Sequence, residues 1–287
     1  MNKKPRIAFC FSWQARTLDQ TYPFIKTNII DAAKEQWFDY DIFCVVEDDE
    51  DCYKVNLLNP IITEKIKSRD LDDIINIKLG KRYKNELIFS SNYFKDIMNK
   101  VHNQIYKIQR SLELKTKFEE KNMINYDFVL RLRYDTYFCN KLNFNHILHD
   151  VYKKDCVICN RVPNFSSIRA IQDFYFIRSW KWAKKIEKDL FDEFDSFYDK
   201  FINIKFLSIE IISRITAFLY HIIHVIFKKD FLFIEKKIVL WLCWPELLRY
   251  KFYLWKGFII TKTNISFVLQ RKNNKEWCIF HKTKYEF

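Results

Sequence analysis

Apolar and polar residues alternate along the chain in runs that predict strands and helices in turn. Short apolar runs predict buried strands at residues 6–13 and 40–47. Between them, residues 18–36 predict a helix that tolerates Pro23 in its first turns. Residues 92–121 carry apolar side chains at helical spacing and predict one long helix. Strands and helices in this order favour a parallel sheet covered by helices.

The second half of the chain predicts shorter elements. Residues 60–84 are irregular, with short strand candidates, and residues 142–151 predict a loop or a short helix. Further strands are expected at residues 155–160 and 171–177, and a closing strand at 264–271. We therefore predict an α/β fold with a mostly parallel central sheet flanked by helices and a C-terminal helical appendage.

Three regions follow from this pattern. Residues 1–200 are expected to form the ligand-binding core, residues 201–244 an apolar helical insertion, and residues 245–287 a segment that completes the core domain. The most apolar long stretch, residues 206–227, carries Glu210 and Arg214 in its first half. Because an ionisable group at the centre of a membrane helix costs a few kcal/mol, we expect a helix that lies on the domain or on a membrane surface.

The most informative segment is residues 126–138, where charged side chains interrupt an apolar strand pattern. Successive side chains of a strand point to opposite faces, so Arg131, Arg133 and Asp135 are expected to project together. An edge strand with a merely solvated polar face is the alternative. The almost wholly aliphatic and aromatic neighbours favour an interior strand whose charged face binds a ligand.

The chemistry of these three side chains predicts a nucleoside diphosphate as the ligand. A guanidinium presents a planar fork of donors that suits phosphate oxygens. An aspartate where the chain leaves the sheet can hold a divalent cation, Mn²⁺ or Mg²⁺, between those oxygens, so Asp135 is the candidate metal ligand. The cation is an open question at this point, because one carboxylate makes a weak site and Arg131 and Arg133 can also neutralise a diphosphate directly.

Other candidate site residues follow the predicted strands. Gln14 and Arg16 come directly after the first strand, where ligands of open α/β sheets bind, although a solvated turn is an equal alternative. Residues 47–51 are all acidic, and we interpret them as a solvated loop in preference to a metal site. Asp173 precedes an apolar strand and is placed to face a pocket, the alternative being a turn or helix-capping role.

Composition narrows the ligand sites that the chain can form. Glycine occurs only at Gly80 and Gly257, so no glycine-rich dinucleotide turn or P-loop can be written. The formal net charge of +13 is concentrated in residues 228–287 and attracts phosphates of nucleotides, nucleic acids or anionic membranes without choosing among them. The first ten residues carry basic side chains and no secretory signal, which favours a cytoplasmic, reduced protein with its eight cysteines as thiols.

These segments, in this order, resemble a family of bacterial and large-virus glycosyltransferases with a GT-A-like, Rossmann-like fold. The resemblance covers most of the chain and depends on the order of four motifs more than on any one of them. They are a Gln-x-Arg-Thr turn (Gln14, Arg16, Thr17), a Tyr-Asp-x-Val-x-Arg-x-Arg-x-Asp strand (Tyr126 to Asp135), an Asp-x-Phe/Tyr-x-Ile segment (Asp173 to Ile177), and a late Pro-Glu with a closing strand ending in arginine (Pro245, Glu246, Arg271).

The resemblance implies transfer of a sugar from a nucleoside diphosphate sugar to a glycan or lipid-linked acceptor, in the synthesis of a surface polysaccharide. It further implies that Asp173 is the general base and Glu246 the second candidate. The chain departs from the Asp-x-Asp motif of GT-A enzymes, because Arg133 stands at the first acidic position and only Asp135 is left. A basic tail beside an apolar helix also indicates peripheral contact with the inner face of an anionic membrane.

Three alternatives stay open. A nucleotidyltransferase of similar fold is the nearest one among enzymes. A basic membrane-associated protein without catalysis explains the apolar stretch and the basic end, but not the charged strand face. A protein that binds nucleic acid is the third, and we do not expect it, because the aromatic residues are dispersed through apolar segments rather than interleaved with lysines.

Overall fold

A computed structural model of the chain describes residues 4–67, 92–154, 156–159, 175–179, 196, 259–262, 267–271 and 274–275, with side-chain surroundings for 4–67 and 102–149. The strands of these residues, in chain order, are β1 (Arg6–Trp13), β2 (Asp39–Glu47), β3 (Ile62–Ile66), β4 (Phe128–Leu132), β5 (Thr136–Phe138), β6 (Cys156–Cys159), β7 (Tyr175–Ser179), β8 (Ile259–Lys262), β9 (Phe267–Arg271) and β10 (Asn274–Lys275). The helices are α1 (Leu18–Ile25), a π-helical stretch (Lys26–Asp31), α2 (Ala32–Glu35), a 3-10 helix (Cys52–Leu58), α3 (Asn92–Asn122) and α4 (Phe144–Lys154).

The central sheet has the strand order β3-β2-β1-β4-β7-β6-β8. Strands β3, β2, β1 and β4 are parallel to one another, and β6 and β8 are also parallel. Strand β7 is antiparallel to both of its neighbours, β4 and β6. The predicted α/β class, with a mostly parallel central sheet flanked by helices in the Rossmann-like manner, is confirmed.

Strands from the C-terminal part of the chain pair with strands from earlier parts of it. Strand β8 lies beside β6 in the central sheet, and β9 pairs with β5 in a second, smaller sheet that also contains β10. Strand β9 agrees with the predicted closing strand, whereas β8 has no counterpart in the sequence predictions. The predicted helical insertion at residues 201–244 lies outside the described residues.

One face of the central sheet packs against α1, α2 and α4. Alternate side chains of the inner strands point to this face and form the hydrophobic core together with the helices; they include Phe9, Phe11, Cys44, Val46, Leu130 and Leu132. Aromatic rings join the layers, since Phe144 of α4 lies 6.1 Å from both Phe9 and Phe128, measured between ring centroids. Burial of these side chains is the main source of stability on this face.

Helix α3 covers the opposite face. Its side chains Ile105, Ile108 and Leu112 are buried, and Phe118 meets Phe43 of β2 in an edge-to-face contact. Two lysines of α3 are also buried, and each is paired with a carboxylate: Lys107 with Glu47 and Lys115 with Glu119. Lysines buried among apolar residues need such acceptors, because a buried charge without a partner is very costly.

The amino ends of β1, β2 and β4 are joined by a polar network far from the carboxyl ends of the same strands. Asp41 accepts hydrogen bonds from Arg6 Nε at 2.7 Å and from the Tyr126 hydroxyl at 2.6 Å. Asp127 accepts a hydrogen bond from the Arg6 backbone N–H at 2.7 Å. We interpret this network as structural, because it ties three strand starts together.

The strand predicted from Tyr126 to Asp135 is shorter in the structure. Strand β4 ends at Leu132, and Tyr134 and Asp135 form a turn before β5 begins at Thr136. The turn is held from two sides, since the Tyr134 hydroxyl donates to the Val45 carbonyl at 3.1 Å and the Tyr134 carbonyl accepts from the Thr21 hydroxyl. Strand β4 is therefore shorter than predicted, and Arg133 and Asp135 lie beyond its end, where the chain leaves the central sheet.

None of the helices in the described part of the chain combines the length and the apolar character that crossing a bilayer requires.

Candidate functional site

The carboxyl ends of β1, β2 and β4 lie together at one edge of the central sheet. From β1 the chain proceeds through β2 and β3 on one side, and it then returns to place β4 on the other side of β1. Such a reversal of strand order leaves a crevice beyond the carboxyl ends of the two adjacent strands, where open α/β sheets bind ligands. The residues that follow β1 and β4 are therefore the candidates for ligand contact.

Arg131 lies in β4, one residue before the strand ends at this edge. Its side chain is fully buried, and it pairs in register with Cys10 of β1. The guanidinium donates to the backbone carbonyl of Ser12 at 3.5 Å and to the Ser12 hydroxyl at 3.4 Å. Because a guanidinium keeps its proton even when it is buried, Arg131 puts a permanent positive charge under the crevice.

Arg133 and Asp135 form a two-point ion pair beyond the end of β4. Arg133 Nε donates to Asp135 Oδ1 at 2.8 Å, and a terminal nitrogen donates to Oδ2 at 2.5 Å. Both side chains are largely buried, with 10% and 15% of their surface exposed. Parallel hydrogen bonds of this kind fix the plane of the guanidinium as well as its position.

The indole of Trp13, the last residue of β1, lies beside two cations. The guanidinium carbon of Arg133 is 4.3 Å from the ring centroid, and the ammonium nitrogen of Lys107 is 5.2 Å from it. Cations are attracted to the face of an aromatic ring, most strongly to tryptophan. Trp13 also has a φ angle of 151°, which is unusual for a residue other than glycine. Its backbone conformation is therefore set by its surroundings at the end of β1.

Glu47, at the end of β2, links the first strand to α3. Its carboxylate accepts hydrogen bonds from the Gln14 amide and from the Lys107 ammonium. Burial lowers the pKa of Lys107, and the charge and hydrogen bond of Glu47 oppose this effect. The interpretation of residues 47–51 as a solvated loop was wrong for Glu47, which is half-buried and paired, and for Asp51, which is buried.

The structure places the predicted site residues in three groups. Arg131, Arg133, Asp135 and Gln14 lie at the crevice edge of β1 and β4. Arg16 is exposed, and its described contact is a backbone one, in which its carbonyl accepts from Lys54 at 2.9 Å. Asp173 and Glu246 lie outside the described residues, so their roles stay predictions.

Sequence reasoning missed three residues of this site: Trp13, Glu47 and Lys107. The signal for Trp13 and Glu47 was available, because each is the last residue of a strand that ends at the crevice. Lys107 had no such signal. It lies within a long helix, and only the packing of α3 against the sheet brings it to the ends of β1 and β2.

A divalent cation needs several oxygen ligands, and Asp135 was the predicted one. Both oxygens of Asp135 accept hydrogen bonds from Arg133. Among the residues with described surroundings, no three histidine, cysteine, aspartate or glutamate side chains are grouped as a metal site. The described side chains thus do not by themselves form a ligand set for a cation, and Asp135 as a metal ligand stays a prediction.

A family model described as a domain of unknown function, DUF7796, matches residues 2–177, which is more than half of the chain. The chain belongs to this family. No match is found among the curated proteins.

Similar solved structures include two glycosyltransferases. Mouse xyloside xylosyltransferase 1, in its apo form, is 9% identical with a TM-score of 0.36, and the match covers 69% of this chain and 74% of the mouse chain. A glycosyltransferase involved in the glycosylation of the major capsid of PBCV-1 is 11% identical with a TM-score of 0.31, and the match covers 66% of each chain.

Proposed function

We propose that this protein is a glycosyltransferase, which moves a sugar from a nucleoside diphosphate sugar to a hydroxyl group of a glycan or lipid-linked acceptor. The observation that carries the proposal is the pair of buried guanidiniums, Arg131 and Arg133, at the reversal of strand order between β1 and β4. Two permanent positive charges in a mostly buried position suit a ligand group with at least two negative charges. A diphosphate has this charge, and its oxygens can accept hydrogen bonds from guanidinium groups.

The proposed reaction forms one bond and breaks one bond at the anomeric carbon of the sugar. The acceptor oxygen bonds to this carbon while the bond to the diphosphate oxygen breaks, and the electron pair leaves with the nucleoside diphosphate. Negative charge therefore grows on the diphosphate, and Arg131 and Arg133 would stabilise it in surroundings that exclude most water. Asp135 holds the plane of the Arg133 guanidinium and so positions its donors.

The acceptor hydroxyl must lose its proton, and the resemblance assigns this step to an acidic side chain. Asp173 is the first candidate and Glu246 the second. A base in this position is needed if the reaction inverts the configuration at the anomeric carbon. Asp173→Asn should then reduce transfer by a factor of about 100 or more without changing donor affinity, as loss of a general base does.

A divalent cation at Asp135 is part of the proposal to be tested, and the chemistry it would supply is neutralisation of the diphosphate charge. To bind it, Asp135 must share its oxygens between the cation and Arg133. Donor affinity measured with manganese and with a chelator decides the point. Equal donor affinity in both conditions would mean that the guanidiniums bind the diphosphate without a cation.

The experiment for the proposed function is a thermal-shift screen with UDP, GDP, ADP, CDP and dTDP on the unaltered chain, Arg133→Gln and Arg110→Gln. Arg110 is the matched control, because it also forms an ion pair with two points of contact, to Glu64, but at the edge strand β3 of the central sheet. We expect one nucleotide to raise the Tm of the unaltered chain and of Arg110→Gln, and not of Arg133→Gln. No stabilisation by any of the five would contradict a nucleotide-sugar donor.

Donor hydrolysis and transfer then separate the enzyme classes. A glycosyltransferase releases the nucleoside diphosphate from its donor, whereas a nucleotidyltransferase releases pyrophosphate from a nucleoside triphosphate. A scaffold or a nucleic-acid-binding protein does neither. Release of pyrophosphate from a triphosphate by this chain would replace the proposal with the nucleotidyltransferase alternative.

A role in surface-polysaccharide synthesis adds peripheral contact with an anionic membrane to the proposal. It is supported by the excess of basic residues in the C-terminal part of the chain. Co-sedimentation with vesicles that contain anionic lipid should be strong at low salt and lost as salt screens the charges. Absence of binding at low salt would remove the membrane from the proposal and leave the glycosyltransferase activity untouched.

A further inference from the structure

Lys107 is a charged side chain of this edge that comes from a helix and not from a strand end. It lies in α3 and is 2% exposed, which is rare for a lysine. Its ammonium nitrogen approaches the ends of two strands, since it pairs with Glu47 of β2 and lies 5.2 Å from the ring centroid of Trp13 in β1.

Lys107 has more hydrogen-bond donors than the described side chains around it accept from. An ammonium group has three N–H donors. Among the residues whose side chains are described, its one hydrogen-bond acceptor is the carboxylate of Glu47, and the Trp13 ring offers a face but no lone pair. A buried donor without an acceptor is costly, so the arrangement favours a ligand that brings oxygens to this position.

Lys107 also lies close to Arg133. Both cations approach the same indole, and the charge of Arg133 contributes to lowering the pKa of Lys107. Two like charges gathered around one ring repel each other, and an anion between them relieves the repulsion. Diphosphate oxygens are suited to this position because one group can accept hydrogen bonds from both side chains.

We propose that Lys107 is a third cationic contact for the diphosphate, and that α3 thereby contributes a binding residue to the site formed by β1 and β4. This inference rests on the proposed function. Glu47 acts as the positioning residue, which holds the ammonium at the crevice beside the Trp13 ring. The ligand class is a diphosphate group, either in a nucleoside diphosphate sugar or as free pyrophosphate.

The chain offers a matched control on the same helix. Lys115 is fully buried and pairs with Glu119, as Lys107 pairs with Glu47, but it lies two turns further on, towards the amino ends of the strands. Glu119 also accepts a hydrogen bond from the Tyr126 backbone N–H at 3.1 Å. We therefore interpret the Lys115–Glu119 pair as structural. Eight residues of helix separate the two lysines by about 12 Å.

The test measures the Kd of inorganic pyrophosphate and of the five nucleoside diphosphates by calorimetry for Lys107→Gln and Lys115→Gln. Glutamine can still donate to the facing carboxylate, so both variants remove the charge and keep a hydrogen bond. We expect Lys107→Gln to weaken pyrophosphate binding by about 10- to 100-fold, the usual effect of losing a charge-assisted hydrogen bond. Lys115→Gln should keep the affinity of the unaltered chain.

Each result has a distinct meaning. Equal affinities for Lys107→Gln and the unaltered chain, or equal losses in both variants, would overturn the role of Lys107 and leave the proposed function standing. If Lys107→Gln does not fold, the double variant Glu47→Gln/Lys107→Met replaces it, and pyrophosphate binding equal to that of the unaltered chain would again overturn the role of Lys107. Binding of pyrophosphate without any nucleotide would overturn the proposed function but not the anion site, and absence of all binding would overturn both.

Discussion

Arg133 lies over the indole of Trp13, with its guanidinium carbon 4.3 Å from the ring centroid, while two of its nitrogens donate to Asp135. The contact joins the ends of β1 and β4, the two strands between which the strand order reverses. The ring fixes one side of the guanidinium and the carboxylate fixes its edge. Side chains at the ends of both strands therefore set the position and the plane of the Arg133 guanidinium at the crevice.

Replacement of Trp13 should weaken anion binding through Arg133. Trp13→Leu removes the ring face from both Arg133 and Lys107, whereas Trp13→Phe keeps a smaller one. A partly buried cation–π contact contributes about 0.5–2 kcal/mol, so we expect the Kd of pyrophosphate to rise by about 2- to 30-fold for Trp13→Leu and less for Trp13→Phe. Calorimetry measures both, and equal affinities in all three proteins would show that the ring does not orient the charge.

The pairing of Glu47 with Lys107 predicts strong coupling between two substitutions. Glu47→Gln should reduce the free energy of unfolding by about 2 kcal/mol or more, because it leaves a buried ammonium without its counter-charge. Adding Lys107→Met removes that ammonium, so the double variant should be more stable than the sum of the single effects by about 1–3 kcal/mol. Urea unfolding of the four proteins gives the coupling, and strictly additive effects would mean that the pair does not interact.

The sequence was a good guide wherever a short local pattern decides the structure. Strand β1 has the predicted bounds, Arg6–Trp13, because six consecutive residues buried on both faces leave little choice. The long helix also agrees closely, since its apolar stripe must face the sheet. The strand pattern also places Arg131 correctly in β4, whereas Arg133 lies beyond the end of that strand.

The rest of the site depends on contacts between distant parts of the chain. Lys107 meets Glu47 across 60 residues, and Tyr134 meets Val45 across 89, so no local pattern records either contact. The turn at Tyr134 and Asp135 was missed for this reason, because it is held by Thr21 and Val45 and not by glycine or proline. A run of acidic residues after a strand is typical of a solvated loop. Glu47 is instead paired with Lys107, and this contact depends on the packing of α3 against the sheet.

The amino-edge network should affect stability and not binding. Tyr126→Phe removes the hydroxyl that donates to Asp41 at 2.6 Å and leaves the ring in place. Loss of a hydrogen bond to a charged acceptor costs about 1.5–3 kcal/mol, so the free energy of unfolding should fall by that amount in urea. The Kd of pyrophosphate should not change, because Asp41 lies at the opposite end of the strands from Arg133. A change in affinity without a change in stability would contradict the structural role of the network.

The buried thiol of Cys44 predicts a loss of stability in alkaline solution. Burial raises the pKa of Cys44 from 9.0 to about 12. Its contribution to stability is therefore fully present below pH 9 and is lost between pH 9 and about 12, because the unfolded chain releases the proton first. Between pH 8 and pH 10 this group alone should lower the free energy of unfolding by about 1.4 kcal/mol.

Cys44→Ala and Cys44→Ser test this prediction, since neither side chain ionises in this range. Burial also raises the pKa of Tyr126 and of Tyr134, so the chain should still lose some stability as the pH passes 10. Both Cys44 variants should nevertheless lose about 1.4 kcal/mol less than the unaltered chain between pH 8 and pH 10, in urea unfolding under reducing conditions. The same slope in all three proteins would show that the Cys44 thiol ionises as readily in the folded chain as in the unfolded one.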